Sequence, residues 1–238
     1  MTNPRLIWSY LSQEPLLWLT ATLVAYWIGD MLFRAAGRAS WANPVLFAII
    51  ILAIVLEGTG TDYQTYFEGA QFVHFMLGPA TVCLALPLYE NLGRLRTAIL
   101  PLLAALVAGS VTAVVSVLMI GKAFNLGPVM MASLAPKSTT APVAIGIAER
   151  LGGLPTITAV LVILTGIIGA IVVTPLLNMM GIRDWRARGF SVGVAAHGIG
   201  TARAFQVNET AGAFASMGMG LNAVLTAIIA PLILSLFQ

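Results

Sequence analysis

The sequence predicts an all-α integral membrane protein, a polytopic helical bundle, and three features predict it. Only 9% of the 238 residues are charged and 59% are hydrophobic, whereas a soluble domain carries about 25% charged residues. Several stretches are long and apolar enough to cross the bilayer, which takes roughly 20 residues because the backbone must satisfy its own hydrogen bonds through about 30 Å of hydrocarbon. No hydrophilic block or linker between them could fold by itself, so residues 1–238 read as a single membrane domain, with an N-terminal segment 1–15 and a bundle over 16–238.

The first span is expected over 16–33. It is closed by Arg34 and Arg38 and has no A-x-A cleavage site, so it reads as a membrane helix rather than a signal peptide. Residues 44–56 form a shorter, strongly aliphatic span suited to a locally thin bilayer. The stretch 63–89 is apolar but expected to break at Gly78, Pro79 and Pro87. Full spans follow over 97–121, 154–180 and 212–237. Between them lie two interrupted segments. One, 126–148, contains Pro136-Lys137-Ser138-Thr139-Thr140-Ala141-Pro142. The other, 189–205, carries His197, Gly198, Gly200, Thr201 and Arg203. Gly and Pro at membrane depth free backbone groups, which is tolerated only where they are buried in protein or line a wet cavity. Function is therefore sought at these interruptions.

Loop charge sets an expected topology, because short cytoplasmic loops collect Lys and Arg. Arg34 and Arg38 go inside, Glu57, Asp62 and Glu68 outside, then Arg94 and Arg96 inside, and Arg183, Arg186 and Arg188 inside. The parity closes only if 126–148 dips in and returns as a re-entrant loop centred on Lys137. A similar dip over 189–205 stays open. The expectation is about six spans plus two re-entrant segments, with an extracytoplasmic N-terminus. Leu77-Gly78-Pro79 with Pro87 echoes Leu126-Gly127-Pro128 with Pro136. Paired interrupted helices point to a midplane site in transporters built from repeats, although two short matches in a Gly/Pro-rich chain also arise by chance.

Lys137 is the most informative residue, since a Lys inside an apolar segment costs about 2.5 to 3.5 kcal/mol on insertion scales. With Ser138, Thr139 and Thr140 beside it and Pro142 opening the next helical run, it gathers hydroxyls, uncapped N–H groups and a full positive charge at one point, an arrangement suited to a carboxylate. The alternative is a snorkelling Lys137 and self-capping hydroxyls. His197, beside Gly198 and Gly200, is able to couple a substrate to protons, and Arg203 offers a planar fork for a carboxylate. Equally, His197 satisfies a backbone carbonyl while Arg203 sits at headgroup level. Glu68 and His74 do not share a helical face. Gly212, Ser216 and Gly220 give a small-residue stripe for internal packing or dimerisation, and Trp18, Trp27 and Trp41 read as an interfacial aromatic belt.

Catalysis is not indicated: there is no H-E-x-x-H, G-x-S-x-G, Walker A or complete G-x-G-x-x-G motif. Two His and one Cys leave little for a metal, no cofactor is expected, and 12 Lys and Arg spread through short loops exclude nucleic acid as a partner.

Three motifs, LGPATVCLALPLYENLGRLR from Leu77, LAPKSTTAPVAI from Leu134 and AAHGIGTARAF from Ala195, resemble the LrgB/CidB family of bacterial membrane proteins, which is also similar to the C-terminal half of the plastid glycolate/glycerate transporter. The likeness runs from about Leu16 onward. Thr139, Ala141 and Gly198 depart from the family pattern. The resemblance implies a multi-pass protein of the bacterial cytoplasmic membrane that is either a secondary transporter of small carboxylates, coupled to H+ or Na+, or a holin/antiholin-like regulator of murein hydrolase export and lysis. It also implies an LrgA-like small partner and a homo-oligomer, with a dimer favoured. An elevator-type motion is implied by analogy alone. On the transporter view the substrate-binding residues are Lys137, Ser138, Thr139, Thr140, His197, Gly198, Thr201 and Arg203, with breaks at Gly78, Pro79, Pro87, Pro136, Pro142 and Gly200.

Overall fold

The computed structural model describes residues 14–83, 89 and 99–237, and all of its elements are helices. In order they are α1 Pro15–Ala35, α2 Pro44–Thr59, α3 Tyr63–Cys83, α4 Ile99–Ala123, α5 Pro128–Leu134, α6 Ala141–Arg150, α7 Pro155–Met179, α8 Trp185–Val207 and α9 Glu209–Leu234. Among the described residues, four helices (α1, α4, α7 and α9) are long and apolar enough to cross a membrane, and α2 is a shorter apolar helix. Contacts divide the chain into two compact units, 1–81 and 82–238. The division falls inside a helix, α3, so no linker composition marks it.

In the first unit, prolines open α1 and α2 at positions whose N–H would lack a helical partner anyway. Asn43 caps α2, its Oδ1 accepting from the Val45 and Leu46 N–H groups at 2.9 and 3.2 Å. α1 lays Ala25 against Ala48 and Leu52 of α2, and Gly29 lets the Pro44 carbonyl approach where a side chain would collide. Trp18 departs from the aromatic-belt expectation. It is 1% exposed, set edge-on to Tyr66 of α3 at 5.8 Å, while Trp27 and Trp41 stay exposed. α3 also differs from expectation, because the helix runs unbroken through Gly78 and Pro79. Proline removes one hydrogen bond but does not by itself end a helix whose neighbours hold helical geometry. Pro87 lies outside the described residues. Polar residues such as Gln64, Glu68 and Gln71 leave α3 outside the set of apolar spans.

The second unit is built on α4, α7 and α9. α4 and α9 run parallel: Leu102 and Leu106 pack with Phe214 and Met217 at one end, and Val114 to Leu118 pack with Ala230 and Leu234 at the other. α5 and α6 form a short helical hairpin. Its base lies beside the C-terminal ends of α4 and α9, where Met131 meets Leu118 and Leu234, and its apex is the turn over 135–140. The break at Pro136 and the restart with Pro142 in the first turn of α6 agree with the sequence expectation.

α8 is a second hairpin. His197 has φ 41° and ψ −135° and reverses the chain, so residues 198–207 return along 185–196. The two arms are in contact, Val192 packing with Ala204 and Gly200 lying against Val192 and Ala196. The expected break at Gly200 is thus corrected to His197. Gly200 is absent of a side chain for a different reason, since a Cβ there would strike the opposite arm. The outgoing arm runs parallel to α9, with Gly189 and Gly193 seated against the Ala211 and Ala215 carbonyls. Its base is fixed to the end of α7 by Arg188, whose Nη1 donates to Asn178 Oδ1 and the Ile182 carbonyl at 2.8 and 2.9 Å.

α7 runs antiparallel to α4 and α9 and packs on the two hairpins. Thr158, near its start, bonds to the Ser133 carbonyl of the first hairpin at 3.1 Å, its middle meets His197, and its end meets Arg188. The unit is therefore two copies of one plan, a long helix followed by a helical hairpin, in opposite senses. The two hairpins enter from opposite ends and their apices meet halfway along α9. The Leu77-Gly78-Pro79 and Pro87 half of the sequence echo reaches beyond the described residues.

Candidate functional site

The meeting point is organised by Asn222 of α9, which is 1% exposed. Its Nδ2 donates to the Ser138 carbonyl of the first apex at 3.0 Å and to the Val194 carbonyl of the second hairpin at 3.1 Å. Its Oδ1 accepts from Ser110 Oγ of α4 at 2.6 Å and from Thr226 Oγ1 at 3.1 Å. Every hydrogen-bonding position of this buried amide is used, as burial in an apolar interior demands.

Beside this joint opens a cavity of about 860 Å³. One wall is the small-residue face of α4, with Ala105, Ala108, Gly109, Thr112 and Ala113. The other is the outgoing arm of the second hairpin, with Ala187, Phe190, Ser191, Val194 and Ala195, and Lys137 and Ser138 of the first apex border it. Lys137 Nζ lies 3.3 Å from Ser138 Oγ, so an ammonium and a hydroxyl present donors to the same space. Asp184 and Arg186 also line it. They pair with each other, Arg186 Nη2 donating to Asp184 Oδ2 at 2.7 Å. The side-chain bond from Arg186, with its backbone N–H added, holds the exposed Asp184 carboxyl down to about 2, and the same pairing raises Arg186.

The other candidate residues occupy different places. Thr139 is fully buried, and its Oγ1 donates to the Pro136 carbonyl at 3.1 Å, bracing the turn. Thr140 is the N-cap residue of α6, without a side-chain capping bond. The His197 ring is 3% exposed, with Nε2 2.9 Å from the Val162 carbonyl of α7, and its own carbonyl accepts from Thr201 Oγ1 at 2.8 Å. These bonds clamp a residue held at positive φ, a conformation that costs about 1 to 3 kcal/mol for a non-glycine residue. Gly198 and Thr201 face Met219 of α9. Arg203 lies on the returning arm in a separate small cleft with Thr174, Trp185 and Arg188. Of the expected substrate-binding residues, Lys137 and Ser138 line this cavity, and His197, Thr201 and Arg203 are not among its lining residues. The reversal at His197 turns the returning arm, and Arg203 with it, toward α7. Of the small-residue stripe, Gly212 receives the Phe205 ring and Ser216 is buried, so both serve internal packing.

Sequence reasoning passed over Asn222 and Ser110. The signal was present, since each is a polar residue inside an otherwise apolar span, where burial demands a partner.

The LrgB-like family model matches residues 22–236. The chain is 34% identical to the Holin-like protein CidB of Staphylococcus epidermidis over 94% of its own length and 97% of that protein. It is 34% identical to the uncharacterized protein YwbG of Bacillus subtilis over 91% of its length and 96% of that protein. It is 29% identical to the Antiholin-like protein LrgB of Bacillus mycoides over 93% and 96%. No solved structure matches. A helical protein of a bacterial membrane, matched by the family model over nearly its whole length, the chain belongs to the LrgB-like family.

Proposed function

We propose that the chain is a secondary carrier of small monocarboxylates, of the glycolate, glycerate, pyruvate and lactate class, in the bacterial cytoplasmic membrane. The observation that carries this reading is the Lys137 ammonium beside the Ser138 hydroxyl, at the apex of one of two opposed hairpins and open to a cavity. Opposed broken helices that meet in mid-membrane are the arrangement in which carriers hold ions and charged solutes. The Arg186 charge is matched by Asp184. Lys137 thus leaves one cation for one carboxylate, while Ala, Gly and Phe side chains accept the body of the solute. In this reading an H+ or Na+ gradient drives transport, and a homodimer works alongside an LrgA-like small membrane protein. Neither Thr139, Thr140, His197 nor Arg203 is needed as a direct ligand.

The relatives' names favour a second reading, a holin/antiholin-like regulator of lysis. One experiment separates the two. Purified protein in proteoliposomes is given labelled pyruvate or glycolate while a trapped dye reports leakage. Saturable uptake, competed by lactate and poorly by dicarboxylates, with the dye retained, supports the carrier. Dye release without saturable flux supports the regulator.

A further inference from the structure

We infer that Asn222 is a positioning residue that joins the two hairpins, so that the cavity has its binding geometry only while this one amide holds both apices. Its two donors go to two different hairpins, to the carbonyls of Ser138 and Val194. Both residues line the cavity, one on each side. The Ser138 carbonyl shares its Cα with the side chain that ends in the Ser138 hydroxyl, and Lys137 is the preceding residue, so holding this carbonyl restricts where the hydroxyl and the cation point. Its acceptor side is tied to α4 and α9 through Ser110 and Thr226. The amide therefore divides by function: nitrogen joins hairpin to hairpin, and oxygen anchors the pair to the long helices. Asn222 does not itself border the cavity, so it acts through the apices rather than on the solute.

The transport half of this inference rests on the carrier reading, whereas the hairpin joint does not, and the test separates them. Asn222→Asp keeps the size and the acceptor side and leaves at most one O–H donor, so at least one hairpin loses its bond. Ser110→Ala deletes one acceptor-side bond and leaves both hairpin bonds. In full-length protein with the exposed Cys83 changed to Ser, spin labels are placed at Glu149, at the end of the first hairpin, and Ala202, on the returning arm of the second, both exposed. The unmutated joint should give one narrow distance distribution. We expect Asn222→Asp to broaden it at least twofold and to raise KM for uptake about tenfold, the scale of losing neutral hydrogen bonds, with Ser110→Ala leaving both near parental values. If the two variants behave alike, or if Asn222→Asp keeps the narrow distribution, the joint is overturned. Absence of uptake in the parent would defeat the carrier reading and leave the distances to decide the joint. Should Asn222→Asp not fold, side-chain amide exchange in the otherwise native protein decides. Strong protection of Asn222 relative to the exposed Asn125 supports the joint, and equal exchange overturns it.

Discussion

The two hairpin apices solve the same problem in opposite ways. The first, over 135–140, is a loop containing Pro136 that leaves Lys137 and Ser138 facing a cavity. The second is a one-residue reversal at His197, closed by the Val162 carbonyl on the ring side and Thr201 on the backbone side. The first apex presents chemistry, and the second spends its polar groups on holding its shape. An interrupted helix is therefore a place to look for a site without being one. The difference lies in whether the freed donors and acceptors find protein partners or open space.

The largest effect should come from the seat of the second hairpin. A side chain at Gly193 lands on the Ala215 carbonyl, and backbone cannot yield as a flexible side chain can. Gly193→Val is expected to remove more than about 3 kcal/mol, the upper range for overpacking, and to leave little monodisperse protein by size-exclusion chromatography in detergent. Normal yield would show that the arm packs elsewhere.

Next in size are changes at the second apex itself. His197→Ala removes the ring and its bond to the Val162 carbonyl, which keeps its partner within the helix, and leaves a void beside α7 with the backbone still strained, at a cost of about 1 to 3 kcal/mol. His197→Gly loses the same ring contact but relieves the positive φ. Thermal unfolding should place the glycine variant above the alanine variant. The reverse order would remove the strain from the description of this turn. Thr201→Val should cost about 0.5 to 1.5 kcal/mol in the same assay, through loss of the bond to the His197 carbonyl.

The smallest effect is at the cavity's exposed ion pair. The folded-state pKa of Asp184 lies below its ordinary value, so the pair's contribution is present above about pH 4 and is lost as pH falls through about 2. An NMR titration should find this carboxyl among the last to protonate, and Arg186→Ala should return it toward the ordinary range.

Much of this fold was legible in the sequence, because hydrocarbon imposes length and apolarity together. The expected spans 16–33, 97–121, 154–180 and 212–237 differ from Pro15–Ala35, Ile99–Ala123, Pro155–Met179 and Glu209–Leu234 by a few residues at each end. The first hairpin was legible too, since two prolines six residues apart, with a lysine and three hydroxyl residues between them, interrupt the apolar run too densely for one helix to continue through it. The second was not settled, because both of its arms have helical composition and the reversal occurs at a histidine rather than at a flanking glycine. Proline at Pro79 misled in the other direction, as α3 absorbs it. Asn222 was hidden by averaging: one amide barely lowers the hydropathy of a 26-residue helix, yet it makes bonds to both hairpins and to α4.

The most direct test of the first apex as an anion site is equilibrium binding of labelled pyruvate to purified protein carrying Lys137→Ala or Lys137→Arg. Loss of a charge-assisted hydrogen bond should weaken binding about 10- to 100-fold in the alanine variant, with the arginine variant in between because the charge remains. Parental affinity in Lys137→Ala would contradict the assignment, whatever the hairpins do.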